Sequence, residues 1–299
     1  MVTAAELTFV GVAGLVTALA TGIGAVPFFL FDEIGDRWNV ALWGLASGIM
    51  LAASGFGLVV EGLAASNGFP TLLLAGLGAG VVLVVVADAV LERVEIGDDT
   101  GEPSGAPATE ADTAERTDGG QPNADVPLAS RAVADGDARK LLLILGILTV
   151  HSFPEGVAVG VSFADVGLEG GVPILGVTVP LLAVFMTVAI SIHNVPEGVA
   201  VSIPLRSMGV GETRMVGAAV LSSLPQPIGA VIAFLFVSWA RAFLPFGFGF
   251  AAGAMVFLVL TEFLPEALEI GADLEGDGYR ELVAGLVAGV ASMLPLLLY

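Results

Sequence analysis

The chain has 299 residues, 56% of them hydrophobic and 13% charged, with a mean hydropathy of +0.93; soluble domains carry about 25% charged residues, so an ordinary soluble fold is excluded. Thirty Asp and Glu against ten Lys and Arg give a formal net charge of −20, which argues against nucleic acid as a partner and against docking to anionic lipid headgroups. Cysteine is absent, which excludes disulfides, thiolate metal sites and a cysteine nucleophile and leaves only N and O donors for any metal.

A bilayer core of about 30 Å requires roughly 20 apolar residues in a helix. Eight runs approach or exceed that length: 7–31, 38–60, 69–87, 141–164, 172–205, 215–240, 242–261 and 282–299. Six contain no Asp, Glu, Lys or Arg, and 141–164 and 172–205 contain one carboxylate each. The expected fold is an all-α polytopic membrane protein with eight transmembrane helices. The first run has Glu6 where a signal peptide has a basic residue, so it reads as a permanent helix. Residues 1–91 then carry spans one to three, 139–205 spans four and five, and 206–299 spans six to eight. The stretch 92–138 between them holds twelve of the thirty acids and almost nothing apolar, which predicts a disordered, solvated linker.

Eight spans place alternate loops on opposite sides. Nine basic residues, Arg37, Arg93, Arg116, Arg131, Arg139, Lys140, Arg206, Arg214 and Arg280, fall on one side and Arg241 alone on the other. By the positive-inside bias the nine face the cytoplasm, and both termini lie outside it, in a multi-pass plasma-membrane protein.

Internal repeats appear at two offsets. His151-Ser-Phe-Pro-Glu-Gly-Val-Ala-Val159 matches His193-Asn-Val-Pro-Glu-Gly-Val-Ala-Val201 at seven of nine positions, 42 residues apart. At an offset of 205, Ala46–Met50 and Glu61–Leu63 of the second span resemble Ala251–Met255 and Glu266–Leu268 of the seventh. Pairing span two with span seven implies a 3+2+3 arrangement whose flanking triplets are inverted repeats. Glycine-rich faces on spans two and three fit close helix packing in a homodimer.

Each central motif sets His and Glu four residues apart, on one helix face. Pro154 and Pro196 remove the amide donors to the carbonyls of Val150 and Ile192, and Gly156 and Gly198 leave room for close helix approach. An ionisable residue inside a span costs at least about 2.5–3.5 kcal/mol, so twinned His/Glu pairs on adjacent helices point to function. Two imidazoles and two carboxylates suit Zn²⁺, Fe²⁺, Mn²⁺ or Cd²⁺ rather than the all-oxygen cages of Ca²⁺ or Mg²⁺.

The paired His-x-x-Pro-Glu-Gly motifs, eight helices, long third loop, outside termini and the segment Ala20-Thr-Gly-Ile-Gly-Ala-Val-Pro27 together resemble the ZIP (Zrt/Irt-like protein) family of divalent metal transporters. The resemblance implies that His151, Glu155, His193 and Glu197 form the transport site for Zn²⁺ or a similar cargo ion, with no catalytic cofactor. It also implies a second adjacent metal position built from the residue after each His, the two glutamates and a carboxylate preceding a proline in span six. Here those positions hold Ser152, Asn194 and Gln226, so the second position has lost a charge, and one firmly bound ion is expected. By the same resemblance Glu262 helps the ion leave toward the cytoplasm; it also reads as an ordinary acidic helix end, as do Glu61 and Asp88. The expected motion is a shift of the central pair of spans relative to the flanking repeats. Release is expected to be proton-assisted, since histidine titrates near neutral pH. Without a Walker A motif, ATP coupling within the chain is not expected. The competing class is an intramembrane metal-dependent hydrolase, but the chain has neither His-Glu-x-x-His nor a third histidine.

Overall fold

A computed structural model describes residues 2–31, 34–96, 151–168 and 171–294, with backbone alone for 91–96. Six helices among them are long and apolar enough to cross a membrane: Ala4–Phe29, Asp36–Ala64, Thr71–Val90, Leu181–Ser207, Glu212–Trp239 and Arg241–Gly271. They are spans one, two, three, five, six and seven of the sequence reading. Of the fourth span, residues 151–162 are helical and the preceding part lies outside the described residues. The eighth is Tyr279–Ser292, its last expected residues lying outside the described set. The third helix runs on to Ile96, into the start of the acidic stretch; the remainder of that stretch lies outside the described residues.

Local chemistry sets the helix ends. At the first span Thr3 and Glu6 form a reciprocal capping box: the Glu6 amide donates to Thr3 Oγ1 at 3.2 Å, and the Thr3 amide donates to Glu6 Oε2 at 2.7 Å. The sixth span breaks at Ser223-Leu224 before resuming at Pro225, because Pro225 and Pro227 cannot donate to the carbonyls of the preceding turn. The run 172–205 is not helical throughout. Val172–Ile174 pairs antiparallel with Val177–Val179, and the helix starts only at Leu181. Hydropathy alone reads this run as span, yet its β-branched residues flank a two-residue loop, Leu175-Gly176, with φ positive at both positions, as a tight hairpin requires.

Glycines determine how the spans pack. A Cβ on Gly44 or Gly48 of span two would overlap the backbone of Leu282 and Leu286 in span eight, and one on Gly285 or Gly289 would overlap that of Ala41 and Leu45. The same relation joins Gly249 and Gly253 of span seven to Leu73 and Leu77, and Gly76 and Gly80 of span three to Phe246 and Phe250. Gly44, Gly48, Gly76 and Gly80, among the glycines of spans two and three attributed above to a homodimer, are therefore spent on contacts within the chain, while Gly55 and Gly78 face open space.

These contacts also bear out the inverted repeat and extend it. Gly44 and Gly48 stand 205 residues before Gly249 and Gly253, while Gly76 and Gly80 stand 209 before Gly285 and Gly289, so the pair two–eight is the image of the pair seven–three. Span two widens into a π-helix at Ala53–Val59 and span seven at Val259–Phe263, at matching heights of the repeat. Span one maps onto span six by the same offset: Ile23-Gly-Ala-Val26 recurs as Ile228-Gly-Ala-Val231. A Cβ on Gly198 of span five would meet the Thr21 carbonyl of span one, and a Cβ on Gly156 of span four would meet the Gln226 carbonyl of span six. Spans one, four, five and six are thus knit backbone to backbone into one bundle.

Candidate metal centre

Histidine and glutamate at i and i+4 fall on one face of a helix, and both central pairs turn that face inward. His151 is 3% exposed, Glu155 1%, His193 1% and Glu197 2%. Burying ionisable groups in a span requires a partner for each, and the partners divide the expected quartet in two.

Glu155, His193 and Glu197 form the deeper cluster. Each offers a ligand atom, and all three atoms lie within 4.8 Å of one another. His193 Nε2 stands 3.2 Å from Glu155 Oε1. Among the described residues Glu197 Oε2 has no hydrogen-bond partner although it is buried, and Nδ1 of His193 is in the same position. Ionised carboxylates accept but cannot donate, so two of them around one imidazole leave an acceptor-rich pocket of formal charge −2, fitted to a divalent cation.

His151 turns elsewhere. Its Nε2 lies 3.1 Å from Glu262 Oε1 and 3.4 Å from Asp88 Oδ1, and the three residues form a second cluster with ligand atoms within 4.8 Å. The Asp88 and Glu262 side chains are 34% and 31% exposed, so this cluster opens toward the surface where the first is enclosed. The π-helix Val259–Phe263 of span seven presents Glu262 to His151, in keeping with the frequency of such bulges at functional sites. Asp88, read above as an ordinary helix end, is therefore a partner of His151. Its link to the motif crosses a sequence separation of 63 residues, which no local pattern reveals. Glu61 lies exposed at its helix end, as the plain reading had it.

The residues expected at a second metal position are occupied with one another. Gln226 Nε2 donates to Glu155 Oε2 at 2.5 Å, Asn194 Nδ2 donates to Gln226 Oε1 at 3.0 Å, and the same Asn194 amide also donates to the Thr17 carbonyl at 2.7 Å. Beside them Thr21 Oγ1 and Ser223 Oγ are 2.7 Å apart. An amide relay from span one through span five to span six thus takes up the second oxygen of Glu155. Ser152 is fully buried on span four.

The sequence was compared with known proteins. The family model described as ZIP zinc transporter matches residues 7–296. A protein of Arabidopsis thaliana is 37% identical over 256 residues, covering 85% of this chain and 34% of its own length. Zinc transporter GufA of Myxococcus xanthus is 40% identical over 148 residues, half of this chain and 51% of its own. Zinc transporter ZIPB of Bordetella bronchiseptica is 32% identical over 276 residues, 92% of this chain and 76% of its own. The chain spans about a third of the first relative and half of the second. Matched over nearly its whole length, this helical membrane protein belongs to the ZIP zinc transporter family.

Proposed function

We propose that the protein carries divalent transition-metal ions, Zn²⁺ first among them with Fe²⁺, Mn²⁺ and Cd²⁺ as competitors, across the plasma membrane into the cytoplasm. The observation that carries this reading is the buried Glu155–His193–Glu197 cluster: two carboxylates and one imidazole, one carboxylate oxygen unpartnered, at the centre of a bundle of apolar helices. Nitrogen and oxygen donors in that ratio suit zinc.

The ion is held first by Glu155, His193 and Glu197, losing water as the carboxylates neutralise it. His151, one turn from Glu155 on the same helix face, then hands it to Asp88 and Glu262, whose partial exposure lets water re-enter the coordination shell. By the distribution of basic loops this second cluster faces the cytoplasm, and both termini lie outside. The glycine contacts join spans four and five to spans one and six, so the unit that moves is this group of four rather than the central pair alone. It slides against the frame of spans two, three, seven and eight. With the amide of Gln226 filling the neighbouring position, the deep site holds one ion.

Purified protein in liposomes is expected to accumulate radiolabelled Zn²⁺ down its gradient. Glu155→Ala and His193→Ala should each lower the rate at least tenfold while the protein remains folded. Uptake at the wild-type rate in both variants would refute the assignment of the site.

A further inference from the structure

One feature of the deep cluster has no counterpart in the ligand set. A metal-binding imidazole usually donates its second ring N–H to a carboxylate or carbonyl, which fixes the orientation of the ring. Among the described residues His193 has no such bond: Nδ1 is buried and unpartnered, and only Nε2 is held, by Glu155. The terminal torsion of histidine is broad, so one contact at one edge leaves the ring free to turn.

An aromatic face supplies the missing constraint. The Phe263 ring stacks on His193 with centroids 5.3 Å apart and planes inclined by 18°. Trp43 of span two packs against Phe263 in turn, with centroids 4.9 Å apart and an inclination of 58°. Phe263 is 5% exposed and Trp43 6%, so the stack also excludes water from one side of the imidazole. Phe263 closes the π-helix of span seven directly after Glu262. That one wide turn therefore sends consecutive residues to the two histidines: Glu262 to His151 and Phe263 to His193.

We propose that Phe263, braced by Trp43, is a positioning residue that replaces the usual second hydrogen bond of a metal-binding histidine, holding His193 with Nε2 toward Glu155 and Glu197. The inference rests on His193 being a ligand. Because Phe263 and Trp43 belong to the frame and His193 to the four-span bundle, the orientation of this ligand depends on how the two bodies are seated. Sliding of the bundle frees the ring.

The test is equilibrium binding of Co²⁺ to the detergent-purified full chain, read from the visible absorption of the bound ion, with Zn²⁺ competition and a melting curve for each variant. Phe263→Leu keeps the apolar volume approximately and removes the stack; its Kd should rise about tenfold, the lower end of the range for residues that orient metal ligands, with a changed band shape. Phe263→Tyr keeps the ring and should stay within about threefold of wild type. Leu258→Ala removes more apolar volume from the same span, in a cluster with Val84 and Ala254, and should leave Kd unchanged. In liposomes Phe263→Leu should raise KM for Zn²⁺ with little loss of maximal rate. Wild-type affinity in Phe263→Leu, or an equal rise in Leu258→Ala, overturns the positioning role while His193→Ala still abolishes binding. Unchanged binding in His193→Ala overturns the ligand assignment and the positioning role together.

Discussion

Replacing Gln226 by glutamate tests the proposal that the deep site holds one ion. In the present structure the Gln226 amide donates a hydrogen bond to Glu155 Oε2 across 2.5 Å and accepts one from Asn194. In Gln226→Glu the first of these contacts becomes carboxylate against carboxylate. Two unit charges at about 2.5 Å repel by roughly 6–7 kcal/mol at an effective dielectric near 20. The side chains will part to relieve most of that, but they are 0% and 1% exposed and have little room to do so. The metal-free variant should therefore melt well below the wild type. A divalent ion between the two carboxylates reverses the sign of the interaction, so the variant should regain its stability with metal and bind two ions per chain where the wild type binds one. The assay is thermal unfolding in detergent with and without Zn²⁺, together with calorimetric stoichiometry. One ion per chain in Gln226→Glu, with an unchanged metal-free melting temperature, would refute the reasoning. So would two ions of similar affinity in the wild type.

The cluster around His151 makes a kinetic prediction. Asp88→Asn and Glu262→Gln each remove a charge from the half-buried cluster while leaving the deep ligands intact, so Co²⁺ affinity at equilibrium should change by less than threefold and maximal uptake should fall by roughly tenfold, on the scale of lost orienting or ligand groups; loss of binding in step with uptake would show that the two clusters are one. The glycine contacts make a structural one. Gly198→Val would drive a side chain into the Thr21 carbonyl, where no flexible neighbour can give way, and overpacking of this kind costs at least about 1–3 kcal/mol. Gly217→Val, at a position open in the structure, should express and melt as the wild type, and equal melting temperatures in the two variants would count against a knitted bundle.

What could be read from the sequence depended on whether the signal was local. The His-x-x-Pro-Glu-Gly pairs stand out because a titratable group within an apolar run is costly wherever its partners are. The division of the histidines does not: Asp88 and Glu262 reach His151 from other spans, and their acidity near a helix end is equally well explained by water. Small residues on spans two and three were legible as close-packing surfaces, but composition cannot say whether the partner is another span or another copy of the chain. The repeat of span one in span six went unread because the residues that matter most differ, Thr21 in one and Gln226 in the other. Only the shared Ile-Gly-Ala-Val and the matching glycine contacts expose it. The hairpin at 172–179 was hidden by hydropathy, which is blind to the difference between a buried helix and an apolar turn.

The symmetry also shows what the acidic residues add to the frame. Spans two and seven are images of each other, down to their π-helices, so the scaffold alone has no preferred side. At the 205-residue offset, however, the counterpart of Glu262 is Gly57, and at the 209-residue offset the counterpart of Asp88 is Leu297. Among the described residues the Asp88–His151–Glu262 cluster therefore has no counterpart across the repeat. Such an asymmetry does not by itself set a net direction, because equilibrium across the membrane is set by the driving gradient and not by the sites along the way. What a one-sided cluster can change is rate: it lowers the barrier for an ion leaving the deep site on that side and, by microscopic reversibility, for an ion entering from it. In the proposed function the frame gives access from both sides, the buried cluster selects the ion, and Asp88 and Glu262 set the speed of exchange at one mouth, so their loss should be read in turnover and not in affinity.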